Sequence, residues 1–392
     1  MDVFEKARLG PVTLRNRVIK AATFEGRTPE SLATDGLIEY HRRPAAGGVG
    51  MTTVAYCAVA PEGRTERRQI WMRPEAVPGL RRLTDAVHAE GAAACAQIGH
   101  AGPVSDRSST GLTALSAGRF FNPLGMRFTR AATREDIERV TRDHAAAARL
   151  AIEAGFDAVE IHFGHNYLAS SFLSPRLNKR DDGYGGPIAN RAKVALGIAR
   201  AVRDEVGDRI AVTAKLNMRD GVPGGLEVDD SLQVARWLQD EGTVDALELT
   251  AGSSLLNPMY LFRGDAPVPE FAANFRQPLR LGIRLSGTRF LRAYPYKDAF
   301  LLEHARRFRA ELNLPLILLG GITTRETMDL AMAEGFEFVA MARALLREPD
   351  LVNRLAADPS TPSLCVHCNR CMPTIYTGTR CPLVPAEPGA AV

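Results

Sequence analysis

The sequence predicts an α/β protein whose eight parallel strands close into a (β/α)8 TIM barrel. Three observations carry that expectation. Eight short runs rich in Val, Ile, Leu and Ala recur along the chain, as strands covered on both faces require. Longer segments of helical periodicity lie between them, and a βα alternation counting eight strands favours a closed barrel over an open doubly wound sheet. No G-x-G-x-x-G follows the first run, where an open dinucleotide-binding sheet carries it.

In order, the expected strands are VIKAA (18–22), VGMTTVAY (49–56), AAACAQI (92–98), AVEI (158–161), IAVTAKL (210–216), DALELT (245–250), PLILLGG (315–321) and FEFVAMA (336–342). Helices stand out over 75–90, 133–153, 190–206 and 323–334. Each stops at a glycine: Gly91, Gly155, Gly207 and Gly335. Thr133 and Thr323 are the expected caps of two of them, the first with Asp136 three residues on. Two stretches break the repeat. Residues 99–132, after strand three, are rich in Gly, Ser and Pro, and residues 253–300, after strand six, far exceed a normal βα connection. The latter carries Arg276, Arg280, Arg284, Arg289 and Arg292 beside Phe271, Phe275, Phe290, Tyr294 and Tyr296. It is either an elaborated surface or subunit contact, or a lid over the barrel mouth that meets an anionic ligand.

Apolar residues make up 45% of the chain and charged residues 24%, which fits a soluble globular protein with a large core. A net charge of +4 over 392 residues, with no dense basic run, leaves no electrostatic footprint for nucleic acid. Charges interrupt the opening MDVFEKARLGPVTLRNRVIK, unlike a signal peptide, and no apolar run reaches the roughly 18–20 residues of a spanning helix. A cytoplasmic protein with neither membrane nor nucleic-acid partner is therefore expected. Cys57 and Cys95 lie singly in expected strands, whereas Cys365, Cys368, Cys371 and Cys381 crowd together. In a large cytosolic chain such crowding points to metal or redox use, not to a disulfide framework.

The residues with chemistry to offer fall at the C-terminal ends of strands, the face on which barrel enzymes build their sites. Strand four runs out through E-I-H-F-G-H-N-Y-L, which places His162, His165 and Tyr167 there. Two imidazole N–H donors can converge on one oxygen and stabilise charge developing on a carbonyl as hydride adds at the β-carbon. A phenol of pKa about 10 suits protonation of the resulting carbanion. The alternatives are satisfied loop histidines with a packing tyrosine, or a metal site. Two His without a nearby carboxylate or thiolate is a thin ligand set for a metal. Gly320-Gly321 at the seventh exit and Met341-Ala342-Arg343 at the eighth together make the pattern of a phosphate cradle, with bare amides, a helix N-terminus and a cation. Pairing at both exits favours that over ordinary turn glycine. Lys215 sits inside an apolar run and needs a partner once buried, either an electron-rich cofactor or a barrel carboxylate. Gln97, near the end of strand three, bears an amide that can read a ring edge.

Together these residues resemble the Old Yellow Enzyme family of FMN-dependent ene-reductases over nearly the whole chain. L-R-N-R-V (14–18) is similar to its opening strand and A-Q-I-G-H-A-G (96–102) to its third-strand exit. H-F-G-H-N-Y-L, followed by L-S-P-R-L-N-K-R-D-D-G-Y-G-G-P-I-A-N-R ending at Arg191, resembles its most specific signature. G-G-I and M-A-R-A-L-L-R-E-P-D-L resemble its phosphate loops. The resemblance implies that Ala21, Ala22 and Thr23 border FMN, with Ala55 and Tyr56 near its reactive edge. It puts Gln97 on the pyrimidine ring and Lys215 beside N1 and O2, and gives the phosphate to Gly320, Gly321, Ala342 and Arg343. His162 and His165 would grip a substrate carbonyl while Tyr167 donates the proton. NADPH or NADH would reduce the flavin and leave, and an electron-poor alkene (an enone, enal or dienoyl compound) would take the same pocket. The implied organisation is an FMN-binding barrel over 1–360 with a Cys-rich extension over 361–392 packed on it, in a homo-oligomer. Three positions depart from the family pattern. Phe24 stands where a flavin-tuning Thr or Cys is usual, Ala342 replaces a more usual glycine, and Lys215 replaces an arginine, which keeps the charge and loses the bidentate fork.

The cysteines form C-x2-C-N-R-C-x9-C, which resembles the [4Fe–4S] segment of the branch containing 2,4-dienoyl-CoA reductase and trimethylamine dehydrogenase. Four thiolates suit a cubane cluster or Zn. The last spacing is shorter than in that branch, and the 392 residues hold none of the nucleotide-binding domains that follow it there. A cluster, a structural remnant and an empty segment all stay open. Two other functions compete with ene reduction. One is a flavin dehydrogenase or demethylase that exports electrons through a cluster. The other is a non-redox phosphate-binding lyase or isomerase with Lys215 as base or Schiff-base former, since barrels host many chemistries.

Overall fold

A computed structural model describes residues 1–122 and 127–385; residues 123–126 of the stretch after strand three and 386–392 of the cysteine extension lie outside the described residues. Eight parallel strands close into the expected barrel: β1 (Val18–Lys20), β2 (Met51–Ala58), β3 (Ala93–Gly99), β4 (Ala158–Phe163), β5 (Ala211–Asn217), β6 (Ala246–Thr250), β7 (Leu316–Leu319) and β8 (Phe338–Met341). Neighbours in sequence are neighbours in space, and β8 returns to β1. Each strand falls within its expected run, give or take a residue or two at the ends. The main ring helices are α1 (Asp35–Ala46), α2 (Val77–Ala89), α3 (Arg134–Glu153), α4 (Lys193–Val206), α5 (Val228–Asp240), α6 (Leu302–Glu311), α7 (Arg325–Ala333) and the short α8 (Arg343–Arg347). The chain leaves α2, α3, α4 and α7 through Gly91, Gly155, Gly207 and Gly335, all at positive φ, where other residues are strained. Thr133 caps α3 in a full capping box with Asp136. The cap of α7 is Thr324, not Thr323: Thr324 has extended backbone and its Oγ1 accepts from the Thr327 N–H at 3.2 Å, whereas Thr323 lies a residue too early.

Side-chain alternation sorts the barrel interior into layers. At the N-terminal end, Cys95, Ala158, Ala211 and Ala246 pack with Ile19, Ile317 and Phe338. The antiparallel hairpin Ala7–Leu9/Val12–Leu14 buries Leu9 and Leu14 against that layer and stoppers this end. Two residues further along β3, β4 and β6 come Gln97, Glu160 and Glu248, with Lys215 in register with Glu248 and His162. Chemistry is thus confined to the opposite, C-terminal end. The two long connections also lie there. The one after β3 forms two small sheets, Leu115–Ser116 with Arg130–Ala131 and Phe121–Asn122 with Arg127–Phe128. The one after β6 folds into helices Pro258–Phe262, Val268–Ala273 and Leu279–Phe290. Among the described residues no helix is long and apolar enough to cross a membrane.

Candidate active site

The C-terminal strand ends open into a cavity of about 400 Å³. Every residue singled out from the sequence for catalysis or cofactor binding lines it, although the chain separates Ala21 from Arg343 by most of its length. Cys365 and Cys371 border it too.

On one side stand the two imidazoles and the phenol. β4 turns sharply because His165 and Asn166 both take left-handed φ, 59° and 61°, and Asn217 Oδ1 holds the turn by accepting the His165 N–H at 3.1 Å. The turn brings the ring of His162 to 4.4 Å from Tyr167 and 5.1 Å from His165, centroid to centroid. Gly164 N–H donates to His162 Nδ1 at 3.3 Å, so the ring proton sits on Nε2, available to a ligand. His165 Nε2 lies 3.0 Å from Thr250 Oγ1 at the end of β6, which fixes that ring's orientation. Burial pushes the His165 pKa down to about 3, helped by the Lys215 charge, and burial, His165 and Lys215 hold His162 well below the ordinary histidine range. Burial raises the Tyr167 phenol. At neutral pH the pair is therefore neutral and the phenol protonated. Rates of substrate reduction are expected to show no inflection near pH 6.5 between about pH 5.5 and 8. Single-turnover measurements across that range check this, and a limb at the free-histidine pKa would mean that an imidazole titrates in water.

Beneath them lies a buried set of charges. Lys215 Nζ donates to Glu160 Oε1 at 3.0 Å and also binds Glu248; Gln97 Nε2 donates to Glu160 Oε1 at 2.6 Å. Barrel carboxylates thus partner the lysine, which still reaches the cavity wall. Burial alone would lower its pKa, but Glu160 and Glu248 more than reverse this, so the amine stays charged. That pairing holds the amine as a cation, the opposite of the free amine that a base or Schiff-base former needs. On the β1 side, Glu25 Oε1 accepts from the Ala55 N–H at 2.8 Å and lies 3.0 Å from His41 Nε2. Burial lifts Glu25 to about 8 and draws Lys20 down to about 8. Lys20, Glu160 and Glu248 escaped the reading of the sequence. Their signal was the one that exposed Lys215, a charged letter inside an apolar strand run.

The far wall suits a phosphate. Gly320 and Gly321 have φ of 98° and 78°, a conformation that glycine adopts without strain. The N–H groups of Gly321, Ile322 and Ala342 find no acceptor among the described residues. Arg343 has no carboxylate partner there either; its Nη1 donates to the Arg263 carbonyl at 3.2 Å and to Asn369 Oδ1. Free amides and an uncompensated guanidinium fit a dianion. The helix dipole expected from sequence contributes little, because α8 is only five residues long.

All four clustered cysteines, with Arg343, Arg347 and His367, line a second and much smaller cavity behind Arg343. The thiols are free, and burial raises Cys365 and lifts Cys371 to about 12. Among the described residues no group of His, Cys, Asp and Glu is arranged to hold a metal ion. The segment is fastened to the β1 exit, where Thr379 N–H donates to Glu25 O at 2.8 Å. Over the mouth, Phe271, Phe275 and Phe290 of the β6 excursion line the cavity, while Arg276, Arg280, Arg284, Arg289 and Arg292 are exposed and make no ion pair among the described residues. These aromatic side chains of that excursion face the cavity and the arginines face solvent.

The chain matches the NADH:flavin oxidoreductase / NADH oxidase family over residues 2–254. It is 54% identical over 380 residues to a 4,4'-dithiodibutanoate disulfide reductase of Rhodococcus erythropolis, spanning 97% of this chain and 94% of that one. Among solved structures, 2-naphthoyl-CoA reductase superimposes with a TM-score of 0.83 at 24% identity, covering 97% of this chain and about half (56%) of that one. The old yellow enzyme homologue of Zymomonas mobilis gives 0.75 at 22% identity, covering 98% of both. These two likenesses are of fold; the family assignment rests on sequence. The chain belongs to the NADH:flavin oxidoreductase / NADH oxidase family, the family of the old yellow enzymes, and is an NAD(P)H-dependent flavin oxidoreductase.

Proposed function

We propose that this chain binds FMN across the barrel mouth and uses NAD(P)H to reduce a small electrophile held by His162, His165 and Tyr167. The observation that carries this is convergence: the neutral imidazole pair, the protonated phenol, Lys215 and the phosphate-type cradle all line one cavity. The donor set fits FMN, with bare amides and Arg343 for the phosphate and Lys215 and Gln97 for an electron-rich ring edge. FMN, when bound, supplies hydride chemistry between nicotinamide and substrate. The chain supplies the rest. His162 Nε2–H and His165 orient the substrate's polar end, Tyr167 holds a proton at Oη, and Phe271, Phe275 and Phe290 keep water out.

The first substrate class is a small organic disulfide, supported by the near full-length likeness to the Rhodococcus enzyme. Balanced, one disulfide, one NAD(P)H and one proton give two thiols and NAD(P)+: the S–S bond breaks and the sulfurs take two electrons. The second class is an activated alkene, supported by the imidazole pair and phenol, which match a carbonyl oxygen and an incipient carbanion. The four cysteines have the number and spacing of iron–sulfur ligands, but among the described residues they are not gathered around a common point, so an iron–sulfur reading of the segment is supported by its spacing alone. An anaerobic visible spectrum with an NADPH titration tests the whole. A flavin band that bleaches and then returns on adding 4,4'-dithiodibutanoate supports the disulfide class; return only with 2-cyclohexenone supports the alkene. A protein that stays colourless after FMN is supplied refutes both. Iron and sulfide assays on the same sample decide the cluster.

A further inference from the structure

The geometry points to Asn369, between the second and third clustered cysteines, as the residue that positions Arg343 for the flavin phosphate. The inference rests on the phosphate reading of the cradle and adds to it a part for the cysteine loop.

Asn369 is 1% exposed and takes a left-handed φ of 56°, which asparagine tolerates better than most residues. Its amide is used at both ends. Nδ2 donates to the Arg263 carbonyl at 2.7 Å and to the Asp265 carbonyl at 2.9 Å, while Oδ1 accepts from Arg343 Nη1. Arg343 donates to the same Arg263 carbonyl at 3.2 Å. One side chain thus ties three separate segments: the β8 exit, the β6 excursion and the cysteine loop. The partners it gives Arg343 are all neutral. A guanidinium held by neutral oxygens keeps its full charge for an anion, whereas a carboxylate in that place would cancel it. Arg343 stands in the wall between the two cavities, with the phosphate-type cradle on one side and the four thiols on the other. The cysteine loop is therefore a component of the flavin site through Asn369, whatever the thiols hold.

The test compares FMN with riboflavin, which lacks the phosphate, binding to apoprotein by fluorescence quenching. Asn369→Gly keeps the left-handed backbone and removes the amide. FMN affinity is expected to fall roughly tenfold, the size of one charge-assisted hydrogen bond, with riboflavin affinity within about twofold of wild type. Asn369→Asp, which neutralises Arg343, should show the same selective loss and serves if the glycine variant does not fold. Equal weakening of both ligands would make the residue a loop brace only and overturn the inference, as would unchanged FMN affinity. Arg343→Ala separates the two levels. If it weakens FMN selectively while the Asn369 variants do not, only the positioning role fails. If Arg343→Ala leaves the FMN-to-riboflavin ratio unchanged, the phosphate reading itself fails.

Discussion

Replacing Tyr167 by phenylalanine is expected to slow reduction of an activated alkene by roughly 10²–10⁴-fold, the range one positioned proton donor supplies, while bleaching of the bound flavin by NADPH keeps its rate. The change removes one oxygen and leaves the ring packed against His162 and, at 5.3 Å between centroids, against Tyr56. An alkene that accepts hydride leaves charge on carbon, which needs a proton delivered in place. A disulfide leaves charge on sulfur, and a thiol of pKa about 8.5 makes a thiolate that water can accommodate. Turnover of the disulfide by the same variant should therefore fall by no more than about threefold. Stopped-flow measurement of both half-reactions settles the matter. If the alkene rate is unchanged, the proton comes from another group; if flavin bleaching slows as well, Tyr167 shapes the nicotinamide site instead.

Replacing Lys215 by methionine is expected to cost roughly 3–5 kcal/mol of folding stability, because Glu160 and Glu248 stay buried without their cation. The sign of its pH dependence follows. Burial, with Glu160 close by, already lifts Glu248 above the ordinary carboxylate value of 4.5, and removal of the lysine lifts it further. A carboxyl whose folded pKa is raised favours the fold below its unfolded pKa and loses that advantage as pH rises through the folded value. The deficit of Lys215→Met should thus be small near pH 4.5 and full above neutrality. Adding Glu160→Gln and Glu248→Gln should recover most of it, since neutral amides need no cation. Urea midpoints of the apoproteins at the two pH values provide the check. A deficit that does not change with pH would mean that the methionine packs badly and that charge is not the cause.

The barrel was legible in the sequence because its signals are local. Eight apolar runs, the glycines that stop α2, α3, α4 and α7, and the Thr133–Asp136 box each need only a few adjacent residues to be recognised, and each is where it was expected. Period-two alternation also places His162 and Lys215 on the inner face of their strands, at the end where loops build sites. The single-residue error at Thr324 shows the limit of local signals. Thr323 and Thr324 are equally good caps by composition, and only the backbone conformation chooses between them. Other features depend on groups far apart in the chain. Glu160 and Glu248 become partners of Lys215 only when β4, β5 and β6 pair in one register. Glu25 meets His41 and the Ala55 amide only after α1 packs on β2, and Asn369 reaches Arg343 only when the cysteine loop folds back behind β8. The sequence by itself therefore determined the barrel, the end that carries chemistry and the residue types gathered there, because periodicity and turn chemistry act over a few residues. Which buried charges neutralise one another, and which cation is left free for an anion, was decided only by tertiary structure, because Coulomb energy depends on distances that close in three dimensions.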